Sequence, residues 1–202
     1  MLFYLQYIDY FGTLALALTG AFIAAEIEMD LFGMIFLAAI TSMGGGTLRD
    51  IVLGIPVFWI SDPTYLYIAL GSGPLVFLTQ SYLLKLGKLL FALDTIGLSF
   101  YAIIGVHKTL SFDHLYIVAF VMGVITAVLR GIIRSLFSQE VSILYKRELY
   151  ATVAAFASLT YLGLNLLGID QGLCILITTS LTFVFRTVSI KYDIGLPKIT
   201  VD

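Results

Sequence analysis

Apolar residues run through this chain in long blocks, and polar residues gather where the blocks end. Seven blocks stand out, at about residues 10–27, 31–60, 64–84, 89–106, 114–138, 148–167 and 172–190. Each is long enough for a helix to cross ~30 Å of hydrocarbon, which takes roughly 18–20 residues. The pattern predicts an all-α, polytopic membrane protein with seven transmembrane helices in a single membrane domain, residues 1–202. The second block is unusual. TSMGGGTLRD, residues 41–50, places three glycines and then Arg49 and Asp50 inside it. Glycine is ~1 kcal/mol poorer than alanine in a helix, so the spacing predicts a helix interrupted at Gly44–Gly46.

A shift of 85 positions lays the chain on itself without a gap. Asp9 then falls on Asp94, Gly12 on Gly97, Gly20 on Gly105 and Thr41 on Thr126. Gly46 falls on Gly131, Arg49 on Arg134 and Tyr65 on Tyr150. Repeat one is expected at about 9–84, repeat two at about 89–167, and an extra helix at about 172–190. Three spans is an odd number, so the second copy enters the membrane from the opposite side. The result is an inverted repeat about an axis in the membrane plane.

Corresponding interruptions in two inverted halves point to a permeation or binding site. The two copies read GGGTLRD and LRGIIRS. Arg49 and Arg134 fall inside spans, where a charged side chain faces protein or water rather than lipid. Arg130 lies one helical turn before Arg134. Asp9, Asp50 and Asp94 are the candidate carboxylate partners; Asp50 is offset ~100° from Arg49, so a partner on another helix is expected. Thr41 and Thr126 can offer hydroxyls to the pathway or bond back to their own helices. Gly12, Gly20, Gly97 and Gly105 read as close-packing positions. Trp59, Tyr65 and Tyr67 suit an interfacial belt.

Composition sharpens the class. Hydrophobic residues make up 60% of the chain, against ~45–50% for a soluble domain, and mean hydropathy is +1.03. Net charge of −2 suggests no nucleic-acid partner, and the single Cys174 implies neither disulfide nor metal. Lys85, Lys88, Lys146, Arg147, Arg186, Lys191 and Lys198 gather on one face, against Lys108 on the other. That bias puts the N-terminus outside and the C-terminus in the cytoplasm, with a bacterial inner or plasma membrane as the expected location. Lys146 and Arg147 are then candidates for contact with anionic lipid headgroups. No H-E-x-x-H, G-x-S-x-G or P-loop lysine appears, so neither an enzyme nor a cofactor is expected. No TVGYG filter appears either.

At these residues the chain resembles the prokaryotic trimeric intracellular cation (TRIC) channels, also described as glycine-transporter-domain proteins. GGGTLRDIVLGIPVFW, FGTLALALTGA, LDTIGLSFYAIIG and KRELYATVAAFASL carry the resemblance, which covers about residues 11–186. It implies a homotrimer with one pore per subunit, lined by the second and fifth spans and conducting monovalent cations, chiefly potassium. By position, the motif residues are Gly44, Gly45, Gly46, Arg49 and Asp50, then Gly131 and Arg134. The second copy departs from the pattern, reading Leu129, Arg130, Gly131 and Arg134–Ser135, with Ser142 where a proline is expected. Arginines in a cation path repel the ion, so Arg49 and Arg134 are expected to gate the path or to be held by carboxylates. A carrier for a small zwitterion such as glycine is the competing expectation.

Overall fold

The structure is a computed structural model, and it describes residues 2–83, 87–137, 150–192 and 194. The described residues form eight helices: α1 (Leu2–Glu26), α2 (Leu31–Val52), α3 (Phe58–Ser61), α4 (Thr64–Leu83), α5 (Gly87–Leu110), α6 (Tyr116–Phe137), α7 (Tyr150–Leu166) and α8 (Gln171–Lys191). Five of them (α1, α2, α5, α6 and α8) contain stretches long and apolar enough to cross a membrane. Shorter apolar stretches occupy Thr64–Thr79 and Tyr150–Leu166. The exposure pattern is that of a chain solvated by lipid. Leu78 is 77% exposed, whereas Arg49 is 1% and Asp50 0% exposed. This is a multi-pass membrane protein.

Local chemistry explains where the helices begin. Asp30 caps α2 by accepting from the backbone N–H of Gly33 at 2.8 Å, and Asp170 caps α8 through Gly172 at 2.9 Å. Such caps satisfy N–H groups left free in the first turn. The acidic loop at 26–30 thus contributes a cap as well as a turn.

The second block is not one long span. Helix α2 stops at Val52, Gly54 adopts a φ of +68°, and Pro56 follows. The four-residue α3 then turns the chain into α4.

The expected interruption at Gly44–Gly46 is absent. Helix α2 passes through all three glycines, and α6 passes through Gly131 without a break. The glycines make room instead. A methyl group added at Gly44 would lie 2.8 Å from Ile133 Cδ1, and one at Gly46 would lie 2.7 Å from the Phe58 ring. At Gly45 it would press on the Thr126 carbonyl oxygen and on the Arg130 side chain. Intimate packing of α2 on α6 and α3 offsets the weak helix propensity.

Helices α1, α2 and α4 pack on one another, and so do α5, α6 and α7. The groups meet where α1 crosses α5 and α2 crosses α6, while α8 packs on α5 and α7. Gly12 lies against Tyr101, and Leu16 against Gly97, so α1 and α5 run in opposite directions. Phe36 meets Phe137 while Gly44 meets Ile133, so α2 and α6 are antiparallel too. Gly20 is pressed on Thr41 of α2, and Gly105 on Gly123 and Thr126 of α6. The four glycines read as packing positions do serve close helix contacts.

Candidate functional site

The crossing of α1, α2, α5 and α6 holds an unusual concentration of buried charge. Asp50, at the C-terminal end of α2, is the organising group. Its Oδ1 accepts from Arg49 Nε at 2.8 Å and from Lys108 Nζ at 3.0 Å, and its Oδ2 accepts from the Phe58 backbone N–H at 2.9 Å. One carboxylate therefore ties two cations together and fixes the start of α3. The expectation that Arg49 reaches another helix for its partner is corrected. Its long stem spans the angular offset and brings Nε back onto the adjacent residue, with Phe58 closing over the guanidinium.

Arg130 projects from α6 into the same region and is 1% exposed. Its Nε donates to the Thr126 carbonyl at 3.2 Å, and its guanidinium stacks over the Tyr101 ring. Tyr101 in turn shares a 2.5 Å hydrogen bond with Thr13 of α1. Arg130 Nη1 and Nη2, together with Arg49 Nη1, are buried without a hydrogen-bond partner. Asp9 lies in the field of both arginines. Its Oδ2 accepts from Tyr65 Oη at 3.2 Å, while Oδ1 is buried and unpartnered.

A cleft of about 490 Å³ reaches this cluster from the surface beside α3. Asp9, Phe58, Tyr65, His107 and Lys108 line it, and Asp62 and Ser111 are also among its walls. Among these, His107 Nδ1 lies 3.0 Å from Tyr161 Oη. Outside the membrane-spanning helices, Asp62 accepts from Tyr10 Oη, and that hydrogen bond holds its carboxyl below the usual range.

The structure gathers Asp9, Arg49, Asp50 and Arg130 but keeps Asp94 apart from them. Asp94 Oδ2 pairs with Arg186 Nη1 of α8 at 2.7 Å. Arg186, 6% exposed, is therefore a buried ligand rather than a cytoplasmic tail charge. Thr126 Oγ1 donates to its own helix at Met122 O, 2.6 Å away, whereas Thr41 Oγ1 is buried without a partner. Gly131 is buried in α6. The side chain of Arg134, and the whole of Lys146 and Arg147, lie outside the described residues.

Sequence reasoning did not anticipate Lys108, Tyr101 or Arg186 at these contacts. Lys108, counted as the lone basic charge of the opposite face, sits in the last turn of α5. Arg186 carried a signal that was missed, since it falls inside the seventh apolar block. Tyr65 is 6% exposed and bonds Asp9 rather than joining an interfacial belt.

The family model described as "Glycine transporter" matches residues 6–81 and again residues 91–165. The UPF0126 membrane protein of Vibrio cholerae is 35% identical over 195 residues, 96% of this chain and 82% of that protein. The UPF0126 inner membrane protein YadS of Escherichia coli strain K12 is 32% identical over 199 residues, 97% of this chain and 96% of that one. Among solved structures, the TRIC trimeric intracellular cation channel orthologue from Rhodobacter sphaeroides superimposes with a TM-score of 0.87. It is 32% identical, with 94% of this chain and 98% of that chain covered. A second structure, described as showing the basis for conductance through TRIC cation channels, gives a TM-score of 0.85 at 30% identity, with 98% of each chain covered.

Proposed function

We infer a cation channel from the family and the site together: this chain belongs to the bacterial TRIC family, the one whose model is described as a glycine transporter. The chain forms a potassium-permeable pathway within each subunit of a homotrimer, between α1, α2, α5 and α6. The observation that carries this reading is the buried cluster of Asp9, Arg49, Asp50 and Arg130, joined by the partly exposed Lys108, beside a cleft that Asp9 and Lys108 line. Ionisable groups inside a membrane bundle are costly and mark functional sites, ion pathways among them. Arg49, Asp50 and Arg130 are each at most 1% exposed, so the path is closed at their level. Opening requires the two guanidinium groups to leave the path or to be turned aside, which makes them the gate.

The seven-span, inverted-repeat layout belongs to the same proposal. The double match of one family model supports it. So does the pair of contacts Gly12–Tyr101 and Leu16–Gly97, which exchange under the 85-residue shift. With Arg186 buried, six of the seven basic positions on the C-terminal face remain, and they still favour a cytoplasmic C-terminus.

The description of the family model favours a second reading, a carrier in which Arg49 and Lys108 receive the carboxylate of glycine. Planar-bilayer recordings in a potassium gradient separate the two. Discrete unitary currents are expected. Saturable glycine uptake with counterflow and no unitary current would replace the channel with the carrier.

A further inference from the structure

We propose that the cleft beside α3 is a binding site for a small primary organic ammonium ion, whose head docks on Asp9. Its volume of about 490 Å³ lies within the ~300–1,000 Å³ of small-molecule sites. Asp9 lines it, is 9% exposed, and has one carboxylate oxygen satisfied by Tyr65. The other oxygen is buried without a partner. Buried polar atoms are as a rule hydrogen-bonded, so an orphaned acceptor on a residue that lines a cleft of this size marks where a donor fits.

The class of donor follows from the walls. An ammonium group has three donors and no acceptor, which matches a bare carboxylate oxygen. The protein already places one there: Lys108, itself part of the lining, rests its Nζ on Asp50 Oδ1 at 3.0 Å. Lys108 shares Asp50 with Arg49, while Asp62 adds a second carboxylate to the walls. The Phe58 and Tyr65 rings meet edge to face at 4.7 Å, and such rings attract cations to their faces. Leu5, Ile104 and Phe112 supply an apolar surface for a short alkyl chain. Arg49 and Arg130 lie in the field of Asp9 and repel a cation that tries to go deeper. A bulky ammonium ion therefore stops at Asp9 and obstructs the path. Obstruction rests on the channel reading; binding does not.

The test is calorimetric titration of the purified full-length protein with n-butylammonium chloride, with sodium chloride at matched ionic strength as reference and glycine run in parallel. Saturable binding is expected for butylammonium, weakened at least ~tenfold in Asp9→Asn, since a charge-assisted hydrogen bond is lost. Should Asp9→Asn fail to fold, Ser111→Trp, a change at an exposed lining residue, is expected to exclude the amine. Absence of saturable binding in the wild type overturns the site. So does undiminished binding in a folded Asp9→Asn or in Ser111→Trp, or binding of glycine alone. Bilayer recordings keep the two readings separate. Butylammonium is expected to reduce the potassium current when added on the cleft side. Binding in a protein that carries no current sinks the channel reading and leaves the site standing. Currents without amine binding do the reverse.

Discussion

Asp9 and Asp94 stand 85 residues apart, one in each of the two stretches that the family model matches, and the fold treats them differently. Asp94 is claimed by Arg186 at 2.7 Å; the same arginine also bonds Thr95 at 3.1 Å and lies near the rings of Phe91 and Tyr150. Asp9 has a tyrosine and an open cleft. The difference traces to α8, which packs on α5 and α7 and delivers its arginine to the second half. One carboxylate became a structural anchor. The other stayed available for chemistry.

The largest effect is expected from breaking the anchor. Arg186→Met takes the guanidinium away from the buried Asp94 carboxylate, and removing one member of a buried pair costs ~3–5 kcal/mol. Thermal unfolding in detergent should fall sharply, and α8 should become sensitive to protease. Pairing the change with Asp94→Leu should restore most of the loss, because a buried pair replaced by apolar side chains is often neutral. Asp9→Asn, at the matching position, should change unfolding far less. Equal losses at Asp9 and Asp94 would erase the contrast between anchor and open site.

Next comes the crossing that holds the halves together. Gly45→Val forces a side chain against the Thr126 carbonyl and the stem of Arg130. Overpacking of this kind costs ~1–3 kcal/mol, and it should separate α2 from α6 at the level of the guanidinium groups. Potassium current in bilayers is expected to change along with stability. A variant with wild-type unfolding and wild-type currents would show that the glycine serves neither purpose.

That crossing also shows how far the sequence could be read. The apolar blocks placed every long helix to within a few residues apart from the start of α1 and the end of α2, because a lipid-facing surface leaves a continuous signal. Three glycines in a row were read as a break, yet they lie within α2. The propensity of a single helix says nothing about a partner helix near enough to compensate. Arg49 with Asp50 was legible as a site and illegible as a pair, since adjacency argues against contact until the reach of arginine is considered. Arg186 was misplaced for a different reason: charge counting assigns arginines near a C-terminus to the tail, while its position inside an apolar block pointed inward.

A smaller effect is expected at Lys108, which is 28% exposed at its side chain. Lys108→Met removes one of the two cations on Asp50 while Arg49 remains to hold it. Loss of a hydrogen bond to a charged group costs ~1.5–3 kcal/mol, and exposure puts this case at the low end. Cation current should rise, since a positive charge leaves the cleft and the local field becomes more favourable to cations. A fall in current would mean that Lys108 holds the path in shape rather than repelling ions from it.

The smallest effect lies at Tyr10 and Asp62, and it shows whether the open side of the comparison responds to pH. The Tyr10 hydroxyl donates to Asp62, lowering its carboxyl below the ~3.9 of a free aspartate. A depressed carboxyl stabilises the folded state while it is ionised. The contribution is complete above the unfolded value and fades as pH falls through the folded one. Wild type should therefore exceed Tyr10→Phe in unfolding temperature at pH 6, and the gap should close at acidic pH below about 4. Solvent screening at this half-buried position keeps the difference under ~1 kcal/mol. A Tyr10→Phe gap that persists unchanged below pH 3 would assign the Tyr10 contribution to the hydrogen bond that its hydroxyl accepts from Gln6 Nε2 at 2.8 Å, and would remove Asp62 from the titrating chemistry of the cleft.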